Sequence, residues 1–471
     1  MGSTFGPHTG QIDTVLYTAA HGGFSGQAVP LGGGAAIANL LGDEWSHSKP
    51  FALKLLGPAV LGSSAPSARE IVSFNERQYA RFCDAFRTAC SAEVLKHDPA
   101  TTTVLVNDIS EGPDFERIAR AGFRIVTIYH VDVVAYISAL YLRGWIRPET
   151  LTRWWERLRK GTPGRLAPAI LRLIFEQQRA SLLWSERVVV PSSDMKAILL
   201  RCYPDTPPNR IEVLPWGCPP RRGAVAAGGG VESAILSTAP AAAPARSSSL
   251  SGEDAGAAAL RAEFGIEPAA RILLCLSRIS PEKGHDFVLR TLLEWEDSPD
   301  FPDRPLWLFI CGEPAFMNGR RYSLQLRSLA ARLKRVRVVF PGYVTGDRKR
   351  AFFRLADIYL FPSSHESYGL TLVEALGYGL PAISRDHAGA RQILAPEFGV
   401  VAHGTGRPAR LEFRQALERL LLDESLRLSM SEAAAGWAQA RPFSRSAARL
   451  AELLAGPREH QEPGVQHVVH S

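Results

Sequence analysis

The chain has 471 residues, too many for a single compact core, so two or three domains are expected. Hydrophobic residues at 46% and charged residues at 21% are those of an ordinary soluble globular protein. A formal net charge of +7 favours anionic partners in general, whether nucleotide phosphates, acidic lipids or RNA, and selects none of them.

The N-terminus, "MGSTFGPHTGQIDTVLYTAA", lacks the basic-then-apolar layout of a signal peptide, and no apolar run reaches membrane-spanning length. A cytoplasmic protein is expected, with peripheral contact at the inner membrane face left open. Strand-like runs occur at 12–20, 51–61, 102–110, 123–131 and 186–193, with amphipathic stretches between them. That alternation predicts a parallel α/β sheet covered on both faces. The six cysteines, Cys83, Cys90, Cys202, Cys218, Cys275 and Cys311, form no C-x-x-C pair or Cys/His cluster, and are read as free thiols.

Residues 133–185 form a long helical stretch rich in Trp and Arg, including "LRGWIRPETLTRWWERLRKG". It suits either a helix resting on an anionic membrane or an insertion packing its aromatics inward. Pro148 and Pro163 are expected to break up a long membrane-lying face, which favours the insertion.

After residue 220 the composition turns to Ala, Gly, Ser and Pro, predicting a flexible linker over 221–259. Strand-like runs resume at 271–277, 306–312, 336–344, 357–364 and 380–386. The expected layout is therefore an N-terminal domain over 1–220, the linker, a C-terminal domain over 260–456 and a frayed tail over 457–471. A ligand cleft belongs between the domains, at the carboxyl ends of the strands.

Chemistry concentrates in two stretches. In "LSRISPEKGHDF" (276–287) Arg278 and Lys283 follow a strand in a Pro- and Gly-containing turn. Two cations at that edge suit a diphosphate, although a solvated loop explains them equally well. In "DIYLFPSSHESYGLTLVE" (357–374) a strand and turn lead to a helix expected to start near Leu370. Its first amides, around Gly369, Leu370 and Thr371, would face an anion. Glu366 and Glu374 flank that point and could each grip a vicinal diol, or serve only as first-turn charges on the helix dipole. Their spacing alone does not choose.

"SRISPEKG" together with "FPSSHESYGLTLVEALGYGLPAI" resembles the retaining glycosyltransferases of GT-B fold, family 4 (glycosyltransferase group 1). The match is strong over 271–395 and diffuse over 1–220. The resemblance implies two doubly wound Rossmann-like domains facing each other across a cleft. It implies Arg278 and Lys283 on the donor diphosphate, Glu366 on the 3- and 4-hydroxyls of the transferred sugar, and Glu374 on the ribose diol. Backbone near Val344 would hold the base. Gly23, in "HGGFSG", would approach the donor phosphates, and "GGG" (32–34) continues that loop or enters the first helix. His130, ending a strand in "TIYHVD", would contact the donor sugar and stabilise the reacting groups, a catalytic role beside that of Glu366, with Asp132 structural or orienting and Ser192 and Ser193 lining the cleft. Two departures stand out: Tyr368 replaces the usual phenylalanine, and "RDHAGARQIL" keeps only Gly389 of a double glycine.

The expected activity moves a hexosyl-type sugar from a nucleotide-diphosphate donor to an acceptor hydroxyl, with retention. The acceptor, whether small molecule, saccharide or lipid-linked, cannot be read. No D-x-D pair offers a metal site, so Arg278, Lys283 and the helix N-terminus would neutralise the leaving group; no cofactor beyond the donor is expected. A sugar-nucleotide epimerase, a phosphorylase or a silent sugar-nucleotide-binding protein are the alternatives. No aromatic–basic motif points to nucleic acid, and no Gly-x-Ser-x-Gly elbow points to a serine hydrolase.

Overall fold

The computed structural model describes residues 12–22, 32–140, 142, 145–159, 161, 167–221, 252–314 and 319–456. Gly23, Pro163, the segment 222–251 of the expected linker and the tail 457–471 lie outside these residues.

Short apolar runs assemble into two parallel six-stranded sheets. The first has the order β2-β1-β3-β4-β5-β6, with β1 Thr14–Thr18, β2 Ala52–Leu56, β3 Thr102–Val106, β4 Arg124–Ile128, β5 Arg187–Val190 and β6 Ile211–Val213. The second has the order β12-β11-β10-β7-β8-β9, with β7 Arg271–Leu276, β8 Leu306–Cys311, β9 Val336–Gly342, β10 Ile358–Phe361, β11 Ala382–Arg385 and β12 Gly399–Ala402. Every residue of β3, β4 and β8 is buried, because helices cover both faces of a parallel sheet. This is the GT-B architecture implied by the resemblance. The two strands missing from the sequence reading, β6 and β12, are short edge strands only partly buried, so neither makes the continuous apolar run of the inner strands.

Each sheet changes direction once. In the first, β1 pairs with both β2 and β3; in the second, β7 pairs with both β8 and β10. Loops leaving neighbouring strands at such a point diverge to opposite faces and open a crevice at the carboxyl ends.

The chain departs from the expected boundaries in two places. Helix Gly252–Phe264 already begins inside the expected linker and lies on helix Gly346–Leu355. The alanines and Gly256 that read as linker allow this close approach: a Cβ on Gly256 would sit 3.1 Å from the Ala351 methyl. At the other end, helix Phe443–Ala455 leaves the second sheet and packs on the first domain. The Trp45 indole donates to the Ala447 carbonyl at 3.2 Å, and Arg124 donates to the Leu453 and Leu454 carbonyls at 3.0 and 3.1 Å. Arg124 is itself buried against Glu186 at 2.9 Å, so its charge caps the helix C-terminus without standing alone.

The stretch 133–185 forms helices Val133–Leu140, Pro148–Leu158 and Ala169–Trp184. Pro148 starts its helix rather than interrupting it, since the first turn needs no proline N–H. All six cysteines are free, as read. Among the described residues no helix is long and apolar enough to cross a membrane.

Candidate active site

The loops leaving β7 and β10, at the switch point of the second sheet, carry most of the charged groups. After β7, Pro281–Lys283 forms one tight helical turn ended by Gly284 at φ 66°. A Cβ there would lie 2.1 Å from the Pro362 carbonyl oxygen, so glycine lets the β7 loop press against the β10 loop. That contact brings Lys283 onto Glu366, forming a mostly buried ion pair. Ser363 adds its hydroxyl to the same carboxylate oxygen at 3.4 Å.

Arg278 lies 3.9 Å from Glu282, whose carboxylate is buried and accepts from Ser280 at 2.6 Å. Glu282 went unnoticed in the sequence because a Pro-Glu-Lys turn reads as solvated. Glu374, one turn into helix Leu370–Gly377, is held by Lys349 at 2.6 Å. Lys349 too was missed; it stands 25 residues away, on the helix after β9.

Helix Leu370–Gly377 begins at the residue expected. Gly369 precedes it at φ 120°, where an added Cβ would meet the Phe361 ring at 3.0 Å. The Leu372 and Val373 amides bond the Gly369 carbonyl, so those of Leu370 and Thr371 are at the exposed end of the helix dipole. The reduced double glycine keeps the position that matters for close approach: a Cβ at 389 would sit 1.8 Å from the Tyr368 carbonyl oxygen, and the Gly389 amide donates to the Glu366 carbonyl at 3.1 Å. Tyr368 uses its extra hydroxyl across the cleft, donating to the Trp216 carbonyl at 2.5 Å.

The first sheet supplies an uncharged wall. His130 Nε2 lies 2.9 Å from Asn107 Oδ1, which also accepts from the Tyr17 hydroxyl at 2.6 Å. The Asn107 amide nitrogen donates to the Gly34 carbonyl at 3.3 Å and to Asp108 at 3.1 Å, fixing which end of the amide is oxygen. His130 therefore donates from Nε2. Burial lowers its pKa to about 4, so the ring is neutral near pH 7 and Nδ1 carries a lone pair. Asn107 was passed over in the sequence; the polar pair "ND" ending an apolar strand was its signal. Asp132 caps the next helix, accepting from the Ala135 amide at 3.0 Å and from Gln178 at 3.2 Å.

His21, after β1, behaves oppositely. Burial pulls its pKa down, but Asp108, 3.6 Å from Nδ1, and Glu111 outweigh that and raise it to about 9, against an opposing push from Arg278. The folded value exceeds the ordinary one. The stabilisation from this pair is thus complete below about pH 6.5 and is lost as pH rises through about 9. Urea unfolding is expected to show a decline of roughly 1–3 kcal/mol across that window. Asp108→Asn is expected to flatten it; an unchanged decline in that variant would refute the pairing.

One cleft of about 430 Å³ lies between the two sheets. His130 lines it from the first sheet. Arg278, Lys283, Val344, Glu366, Gly369, Leu370, Thr371 and Glu374 line it from the second. Of the expected site residues only Gly23 is unplaced, since it lies outside the described residues. Gly32–Gly34 prove to be the entry to helix Gly33–Ser48 and also line the cleft; an added Cβ on Gly33 would be 3.6 Å from Leu370 on the opposite wall. Ser192 and Ser193 do not line it: Ser192 caps helix Ser193–Cys202, and the neighbouring Pro191 takes the cleft position.

Comparison with known proteins bears on the fold and on the second half of the chain. The chain is 31% identical over 206 residues to D-inositol 3-phosphate glycosyltransferase of Corynebacterium glutamicum (strain R), covering 43% of this chain and 47% of that protein. It thus spans about half the length of the curated relatives it matches. Among solved structures, sucrose-phosphate synthase from Thermosynechococcus elongatus aligns with TM-score 0.62 at 15% identity, covering 94% of this chain and 98% of that one. Anabaena HepE, solved in complex with UDP and glucose, aligns with TM-score 0.57 at 14% identity, covering 94% and 99%. The fold is that of GT-B glycosyltransferases throughout, and residues 257–437, which carry every cation and carboxylate described on the second sheet's side of the cleft, match the family model of the group 1 glycosyl transferases.

Proposed function

We propose that the chain is a retaining family 4 glycosyltransferase that moves a hexosyl-type sugar from a nucleotide-diphosphate donor to an acceptor hydroxyl. The observation that carries this reading is the convergence, in one cleft, of three cations, a helix N-terminus and a carboxylate on either side of it. Lys283 holds Glu366 and Lys349 holds Glu374. A donor would exchange these partners. Its diphosphate takes Arg278, Lys283 and the amides of Leu370 and Thr371; its sugar diol takes Glu366, its ribose diol takes Glu374, and its base lies near Val344.

The fixed positive groups then stabilise the charge that grows on the leaving phosphate as the glycosidic bond breaks. The same phosphate oxygen receives the proton of the acceptor hydroxyl as it attacks from the same face, which accounts for retention. Neutral His130 accepts a sugar hydroxyl at Nδ1, held in position by Asn107. Tyr368 and Trp216 tie the two walls together, so that water is excluded once the donor is bound. The presence of UDP and glucose in the HepE structure supports a nucleotide-sugar donor here. The activity named for the Corynebacterium relative supports transfer to a hydroxyl acceptor.

A panel of nucleotide sugars, followed by thermal shift and donor hydrolysis, tests the proposal. One donor is expected to raise the melting temperature and to be hydrolysed slowly; no response to any of them would overturn it. Glu374→Ala is expected to weaken donor affinity about tenfold with little change in kcat. Lys349→Met, which frees the carboxylate, is expected to weaken it less. Unchanged affinity in Glu374→Ala would exclude the ribose contact.

A further inference from the structure

Helix Pro148–Leu158 turns its two adjacent tryptophans in opposite directions. Trp155 points inward, stacked on Phe175 with ring centroids 5.0 Å apart, and its indole donates to Glu176 at 2.9 Å. Trp154 points outward at 47% exposure, with Leu158 one turn on at 46%. Trp145, just before the helix, is 87% exposed. The inward-packing reading thus holds for Trp155 and fails for the other two. Three large apolar groups are exposed within residues 145–158, on one helix and its approach, whereas the exposed leucines elsewhere among the described residues are more scattered.

The charges around them are sorted by sign. Glu149 and Glu156 are engaged from the protein side, Glu149 by Arg201 at 3.8 Å and Glu156 by Arg159 and Arg179 at 2.8 and 3.1 Å. Arg147, Arg153 and Arg157 are exposed and make no ion pair with another described residue. The outward face is therefore apolar and cationic together. Tryptophan, leucine and arginine in that arrangement match the boundary between acyl chains and anionic headgroups: the indoles sit at headgroup depth while the guanidinium groups meet phosphate.

We propose that this face docks the protein on an anionic lipid bilayer, with helix Pro148–Leu158 lying in the plane of the interface. The face belongs to the flank of the cleft. Val131 lines the cleft, helix Val133–Leu140 runs on from it and packs against Pro148–Leu158, and the Ser138 hydroxyl donates to the Ile146 carbonyl at 2.5 Å. The inference stands independently of the proposed transferase activity.

The test is co-sedimentation of the full chain with phosphatidylglycerol–phosphatidylcholine vesicles and with vesicles of phosphatidylcholine alone. Binding is expected to the first and not the second, and to weaken as salt rises. The triple variant Trp145→Ser, Trp154→Ser, Leu158→Ser and the triple variant Arg147→Gln, Arg153→Gln, Arg157→Gln are each expected to lower partitioning by more than about tenfold. Both variants alter exposed side chains, so their thermal unfolding should match the wild type. Failure of the wild type to bind anionic vesicles, equal binding to both vesicle types, or unaltered binding by the variants would overturn the proposal. So would light scattering that shows a wild-type dimer split by the tryptophan variant, because a second copy would then be the occupant.

Discussion

Glu366→Gln is expected to lower kcat for sugar transfer by about 10²–10³-fold while the protein still folds cooperatively. The substitution keeps the size of the side chain and removes its charge. That charge is present in the wild type: burial pushes the pKa up, but the charge and hydrogen bond of Lys283, with His387 and Arg278 beyond, outweigh burial and bring it below the usual carboxylate value. Lys283 keeps an amide oxygen to face in the variant, so the stability loss should be about 1–2 kcal/mol rather than that of an orphaned buried charge.

Because the folded pKa is depressed, the stabilisation from Glu366 is present above its ordinary value near 4.5 and lost as pH falls through the lower folded value. The acid limb of the wild-type stability curve should therefore flatten in the variant. Steady-state turnover close to wild type would remove Glu366 from the mechanism. A double-mutant cycle with Lys283→Met should be strongly non-additive, since the two side chains are in contact.

Arg278→Ala is expected to cost about 10²–10³-fold in kcat/KM, divided between weaker donor binding and slower transfer. Arg278→Lys should recover only part of this and remain about tenfold below wild type, because a point charge cannot bridge two phosphate oxygens as a planar fork does. Calorimetry with the nucleoside diphosphate of the best-stabilising donor separates binding from chemistry. An unchanged affinity in Arg278→Ala would exclude the diphosphate contact. Glu282, held by Ser280 beside the guanidinium, acts through Arg278, so Glu282→Gln should weaken binding less than loss of the arginine itself.

Much of the second sheet's side of the cleft could be read from local pattern. An apolar run, a Gly-containing turn and a new apolar run place Leu370 at the start of a helix, and with it the stretch from Glu366 to Glu374. The same logic puts Arg278 and Lys283 just past β7. What pattern could not supply were the partners, because the contacts join residues far apart in sequence: Lys283 with Glu366 across 83 positions, and His130 with Asn107 across 23. Strands β6 and β12 escaped because they are short, partly buried edge strands without a continuous apolar run. The return of helix Phe443–Ala455 to the first domain escaped because it depends on Arg124, buried in β4 with no local sign of what it would cap.

Sequence by itself determined the two α/β halves, the turn chemistry at their strand ends and the cations and carboxylates placed there. Those features arise from periodicity and backbone preference over a few neighbouring residues. Only the tertiary structure decided strand order and therefore where the two switch points open. It also decided which carboxylate each cation holds, which nitrogen of His130 carries the proton, and which tryptophan of an adjacent pair faces outward. Each of these depends on packing between distant segments: burial and partner together set a charge or a direction that neither residue encodes alone.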